Sequence, residues 1–270
     1  MQAFAMFLLF LSAAAEPKLS IEVPGSKHVF TRAELLKRSD IETVTVAADP
    51  AYGGKAMTYK AVKVAKLFEG LAVPQDVVVQ FRCLDGFSAP ISKDRLLNSN
   101  ANQSVAYIAI ETTEAPWPAL KSGGPSAGPF YVVWQNPERS AVTQEEWPYQ
   151  LAAFEAKGSL QTLYPKVFPA AGSGADTPVG RGFATFTRNC FPCHTMNRSG
   201  ASEVGPDLNL PMNPTEYLTP AALRSLVRDP QSVRHFPKSR MARFPPEVLP
   251  DQELTDLVAY LEHMAKHKVP

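Results

Sequence analysis

Cys190-Phe191-Pro192-Cys193-His194 is the stretch on which the reading of this chain turns. Two cysteines three positions apart can each add to one vinyl group of a haem, and the adjoining histidine then lies beneath the iron as an axial ligand. The same C-x-x-C spacing serves a redox dithiol or half of a zinc site. A zinc site wants a second cysteine pair, yet the one other cysteine, Cys83, stands over a hundred residues upstream. A redox dithiol wants a strand–helix–strand setting, whereas this string follows a short helical pattern and opens a tail without strand signals. One covalently bound haem c, with His194 on the iron, is the chemistry these five residues point to.

The tail around the string reads as all helix. Segments 182–188, 220–228 and 251–267 are helical, and in the last Leu254, Leu257, Val258 and Leu261 follow the i, i+3, i+4, i+7 spacing of one buried face. Upstream the pattern changes. Runs 19–23, 42–47, 76–83, 106–111 and 130–134 are rich in Val, Ile and aromatics and predict strands. Two short helices fit between them, one at 31–38 with Thr31 and Glu34 as a capping box, the other at 63–71 closed by Gly70 and Pro74. Residues 114–128 hold three prolines and three glycines and predict a loop. The small, polar run 170–176 predicts a linker.

The 270 residues suit two domains. The 45% hydrophobic content, and 27 basic against 26 acidic residues, exclude a disordered chain and give no positive field to attract nucleic acid. The apolar run 3–11 has the length of a signal-peptide core and is too short to span a bilayer, which takes about 20 residues. Ala13-Ala14-Ala15 supplies the small residues of a cleavage site, so the expectation is export to the periplasm with cleavage near Ala15 and no membrane span in the mature chain.

Residues 176–268 resemble a class I cytochrome c. The resemblance rests on Gly182 and Phe186, eight and four residues before Cys190, and on Gly205-Pro206-Asp207-Leu208 after the haem string. It implies that Gly182 lets the first and last helices cross closely, that Phe186 fills the crossing with Tyr260 as its partner, and that the Pro206 carbonyl accepts the Nδ1 proton of His194. It also implies a second axial ligand shortly before the last helix. Met241, 47 residues beyond His194 and followed by Phe244-Pro245-Pro246, stands in that context. Ala242 directly after it departs from the family's usual proline. His235, 41 residues on, is the rival and would make a bis-histidine haem. Met212 follows Gly205-Pro206 too soon to cross to the far side of the haem, Met196 is too near His194, and Met264 reads as core. A thioether opposite an imidazole stabilises reduced iron, and filling both axial positions leaves a one-electron carrier.

Arg224, Arg228, Arg234, Lys238, Arg240 and Arg243 face a single acid, Asp229, over 224–243. They are either a solvated basic face or a set that pairs with haem propionates and docks a redox partner near the haem edge.

Residues 19–157 resemble, in shortened form, the molybdopterin-binding domain of the sulfite-oxidase superfamily. The segment 76–97, with Cys83 ending a strand before Asp85-Gly86, carries this, together with 32–36, 58–67 and 128–134. In catalytic members a strand-end cysteine binds molybdenum, which makes Cys83 a candidate ligand and the chain a candidate molybdenum oxidoreductase with a haem outlet. That is the alternative; the preferred reading is a buried thiol acting as a small hydrophobe in a non-catalytic docking module. No clear basic and glycine-rich set for a pterin phosphate stands out. Trp117, Trp134 and Trp147 read as packing residues, and His28, His263 and His267 as surface residues. The expected layout is multidomain: a leader over 1–15, an α+β sulfite-oxidase-like domain over 16–160, a linker over 161–178, and an all-α class I cytochrome c domain over 179–270.

Overall fold

The computed structural model describes residues 15–202, 204–235, 239 and 241–269. The leader read at 1–15 lies outside the described residues except for Ala15. No helix among the described residues is long and apolar enough to cross a membrane.

The N-terminal region is β-rich. Strands β1 (Lys18–Val23) and β2 (Ser26–Thr31) form a hairpin, and β3 (Glu42–Asp49) and β4 (Lys55–Lys63) form a second. Then come β5 (Val78–Cys83), β6 (Pro90–Ser92), β7 (Val105–Ile110), β8 (Phe130–Gln135) and β9 (Leu151–Gly158). They build two sheets, β2-β1-β9-β5-β6 and β3-β4-β7-β8. Neighbours are antiparallel except β1 and β9. All six residues of β7 are buried, as is expected of a strand covered on both faces. Short helices α1 (Arg32–Leu36), α2 (Val64–Leu67) and α3 (Lys93–Leu96) join the strands. Thr31 and Glu34 form the capping box, Glu34 Oε2 accepting the Thr31 N–H at 2.7 Å.

Three strands exceed the sequence reading. β2 follows a turn at Gly25, whose φ of +81° suits glycine. β4 has lysines at exposed positions and few β-branched residues, so its alternation is faint. β9, Leu-Ala-Ala-Phe-Glu-Ala-Lys-Gly, has helix-forming composition and becomes a strand by pairing with β1 on one side and β5 on the other. The helix read at 63–71 shrinks to α2, because the chain turns at Gly70 with φ +79°.

Asp49 lies at the heart of this region. It is fully buried and accepts hydrogen bonds from Tyr59 Oη at 2.8 Å, Tyr131 Oη at 3.0 Å and the Ala51 N–H at 2.9 Å. Burial pushes its carboxyl pKa up, against those bonds. Trp117 packs edge-on to Tyr59 at 4.8 Å, and Trp147 is tilted against Tyr131 at 6.3 Å.

The C-terminal region is helical, with α4 (Leu160–Leu163), α5 (Pro178–Asn189), α6 (Pro214–Tyr217), α7 (Pro220–Arg228), α8 (Pro230–Val233) and α9 (Asp251–Ala265). Thr177 caps α5, its hydroxyl accepting the Gly180 N–H at 3.1 Å, and Pro178 occupies the first turn, where its missing N–H costs nothing. A second hydrophobic core joins Phe186, Phe191, Leu223, Leu254, Leu257, Tyr260 and Leu261.

The stretch read as linker is partly packed. Val167 is buried in the helical core, and its carbonyl accepts from Tyr260 Oη at 2.6 Å. His263 is more than a surface residue. Its Nε2 accepts the Ala170 N–H at 3.0 Å while its ring stacks on His267 at 4.3 Å. Tyr164 packs on the helical core and donates to Gln80 Oε1 of β5 at 3.1 Å, joining the two regions.

Candidate functional site

The site is built at the end of α5. Cys190 continues the helix, its N–H donating to the Phe186 carbonyl at 2.9 Å. The chain then closes one further turn, in which the Cys190 carbonyl accepts from both Cys193 N–H at 3.0 Å and His194 N–H at 2.9 Å. Both thiols and the imidazole therefore belong to a single turn. Phe191 anchors that turn, buried against Tyr164 at 5.1 Å and Phe186 at 5.8 Å. The three cysteines form no disulfide. Burial pushes the Cys190 thiol up to about 12, so it is held neutral.

His194 is oriented from behind. Its Nδ1 lies 2.8 Å from the Pro206 carbonyl oxygen, which places the ring proton on Nδ1 and leaves Nε2 with its lone pair. Burial pushes the imidazole pKa down, against the Pro206 contact, and keeps the ring neutral. Gly205 makes this approach possible, since a Cβ there would meet His194 Cε1 at 2.6 Å, and its N–H donates to the Cys193 carbonyl at 2.7 Å. Asp207 holds the following turn. It accepts from Thr195 Oγ1 at 2.8 Å and from the N–H groups of Arg198, Asn209 and Leu210 at 2.6, 2.8 and 2.7 Å. Burial pushes its carboxyl up, but these bonds together outweigh it and hold the pKa below the usual range.

A haem suits this donor set: two thiols on one turn, a neutral imidazole beside them, and an oriented Nδ1 proton. Asn189, next to Cys190, is buried and both its amide atoms lack a partner. A cleft of about 230 Å³ opens beside Cys193 and is also lined by Val204 and Ala242.

Ala242 brings the Met241 loop to that cleft. Met241 itself is partly buried. Arg228 pins the loop behind it, Nη1 donating to the Phe244 and Leu249 carbonyls at 2.7 and 2.5 Å and Nη2 to Asp251 at 2.5 Å. Met196 and Met264 are buried in the helical core, Met212 is 51% exposed, and His235 is exposed.

Much of the basic stretch is engaged within the chain. Arg228 is the loop anchor, Arg243 pairs with Asp229 at 3.2 Å, and Arg224 donates to Thr255 at 3.2 Å. Lys238 and Arg240 lie outside the described residues. Cys83 is not among the residues that line the cleft beside Cys193. It ends β5, packs as an apolar side chain on the core of the β-rich region, and burial pushes its thiol pKa far up.

Two sets of residues escape a reading of the sequence. One is a buried asparagine series. Asn209 Nδ2 donates to Asn197 Oδ1 and to the Met264 carbonyl, both at 2.8 Å, and Asn213 Nδ2 donates to Asn209 Oδ1 at 2.9 Å and to the Leu261 carbonyl at 3.1 Å. It ties the loop after the haem string to α9. The other set comes from the β-rich region, since Phe87, Gln144, Glu145, Trp147, Pro148 and Tyr149 line the cleft that Cys193 opens onto. No local signal marks either set, because each depends on contacts far apart in sequence.

Residues 177–261 match the family described as cytochrome C oxidase, cbb3-type, subunit III. No curated protein sequence matches the chain. The C-terminal region is a cytochrome c domain, the kind that carries haem c and transfers electrons. The β-rich region falls outside the matched residues.

Proposed function

We propose that this chain is an exported c-type cytochrome that carries one electron at a time on a single haem, with Cys190 and Cys193 as covalent anchors and His194 and Met241 as axial ligands. The observation that carries this reading is the His194–Pro206 contact at 2.8 Å beside two cysteines of the same turn. Bound haem supplies a one-electron iron couple. The protein's part is to orient and insulate. Pro206 fixes the ring of His194 and makes Nε2 the better donor, Gly205 gives that ring room, and Arg228 holds the loop from which Met241 would reach the other face. With a thioether opposite the imidazole, reduced iron is favoured and no axial position remains for a substrate.

The apolar run 3–11 and Ala13-Ala14-Ala15 support export to the periplasm with a mature chain beginning at Glu16. We read the β-rich region, 16–160, as a shortened sulfite-oxidase-like fold, joined through 161–178 to the haem domain over 179–270. It serves as a non-catalytic module that presents the haem to a redox partner, with Cys83 a structural thiol.

The test is an extraction of the full chain matured in a periplasm able to attach haem. One haem per chain that stays with the protein in acidified acetone supports the reading. Haem that extracts, or none at all, overturns it.

A further inference from the structure

We infer that the β-rich region is one wall of the haem pocket, with Phe87 and Trp147 closing the crevice at Cys193 and at the Met241 loop. This rests on the haem reading above and gives the β-rich region a role toward the haem itself.

The cleft of about 230 Å³ beside Cys193 is shared. Cys193, Val204 and Ala242 form its helical side, and Phe87, Trp147 and Tyr149 its other side. A haem anchored at Cys193 would face these rings. Without them, the helical region would present Cys193 and Ala242 to water.

The wall is rigid, as a pocket wall has to be. Trp147 is 7% exposed and its ring leans on Tyr131, whose hydroxyl is fixed by buried Asp49 at 3.0 Å. The next residue is stitched to β8, the Val132 N–H donating to the Pro148 carbonyl at 3.1 Å. Phe87 sits in the tight turn after β5, its carbonyl accepting the Cys83 N–H at 3.0 Å and its own N–H donating to Asp85 Oδ1 at 3.0 Å. Both rings are thus held by the sheets rather than by the helical region.

Two consequences follow. Excluding water from a haem edge disfavours the more highly charged ferric state, so the wall raises the reduction potential. Filling the space beside Ala242 keeps the Met241 loop from swinging away and admitting an exogenous ligand.

The test uses full-length, haem-loaded protein and two variants, Trp147→Ala and Phe87→Ala, with Trp147→Phe as the conservative form and Val29→Ser, on exposed β2, as the control. Carbon monoxide binding to the reduced protein and the midpoint potential are read. In both alanine variants, carbon monoxide binds about tenfold faster, and the ferric state gains about tenfold, equal to about 59 mV for one electron. Trp147→Phe and Val29→Ser stay near wild type. Should Trp147→Ala fail to fold, Phe87→Ala decides. Wild-type behaviour in the folded alanine variants, or an equal change in Val29→Ser, overturns the inference while leaving the haem reading intact. A wild-type chain without covalent haem overturns both.

Discussion

A methyl group on Gly182 would collide with the main-chain carbonyl oxygen of Asp256 and lie 2.8 Å from Cβ of Tyr260. α5 and α9 therefore cross with backbone against backbone, and the aromatic rings of Phe186 and Tyr260 meet beside the crossing at 5.0 Å. Gly182→Ala forces the helices apart. It is expected to cost about 1–3 kcal/mol, the usual range for overpacking. A urea titration of the haem-loaded protein checks this, and an unchanged midpoint would mean that the crossing yields freely.

Asn209 is fully buried and serves three partners at once: Asn197, Asn213 and the Met264 carbonyl. Asn209→Ala leaves buried polar groups on both neighbours without this partner. Desolvation without compensation costs about 1–3 kcal/mol per group, so the variant should lose about 2–3 kcal/mol. Thermal unfolding measures it. A loss under about 0.5 kcal/mol would show that water replaces the side chain.

The haem string was legible because covalent chemistry demands particular residues at fixed spacing. Gly182, Phe186, Tyr260 and the Gly205-Pro206 pair are picked out through the resemblance to class I cytochromes c, and the structure shows close contacts at each. The strands dense in branched residues, such as β7 and β8, were equally plain. β9 was not, because its alanines favour a helix and only its two strand neighbours decide otherwise. The seam was invisible for the same reason. Trp147 reads correctly as a packing residue of the β-rich region, yet nothing near it in sequence shows that the cleft it lines is shared with Cys193. In the basic stretch, the sequence shows the charges but not how each is used. Arg243 is exposed at the surface, while Arg228 donates to main-chain carbonyls that hold a loop.

Met241→Ala removes the thioether proposed for the iron. The ferric absorption band near the red end of the spectrum should vanish, and the midpoint potential should fall as a weaker ligand or water takes the place. Survival of the band would transfer the role to another residue. Arg228→Gln, which loosens the same loop without touching the ligand, should weaken the band and let carbon monoxide bind the reduced protein. Cys83→Ala should change neither reading.

Glu145 gives the seam a pH dependence. Its Oε2 is buried without a partner, and burial raises its pKa from 4.5 to about 7. The nearby cations are committed elsewhere, Arg188 to Glu253 and Arg95 to Glu146. A carboxyl whose folded pKa exceeds its unfolded value favours folding while protonated. Its contribution is complete below about pH 4.5 and is lost as pH rises through about 7. The shift corresponds to about 3 kcal/mol across that window. Glu145→Gln keeps the shape and cannot ionise. The stability difference between variant and wild type should therefore grow in the variant's favour from pH 4.5 to pH 8, most steeply between 5 and 7. Denaturant titrations at a series of pH values follow it. A difference that stays flat would mean that Glu145 finds a proton donor or water in the folded seam and titrates as an ordinary carboxylate.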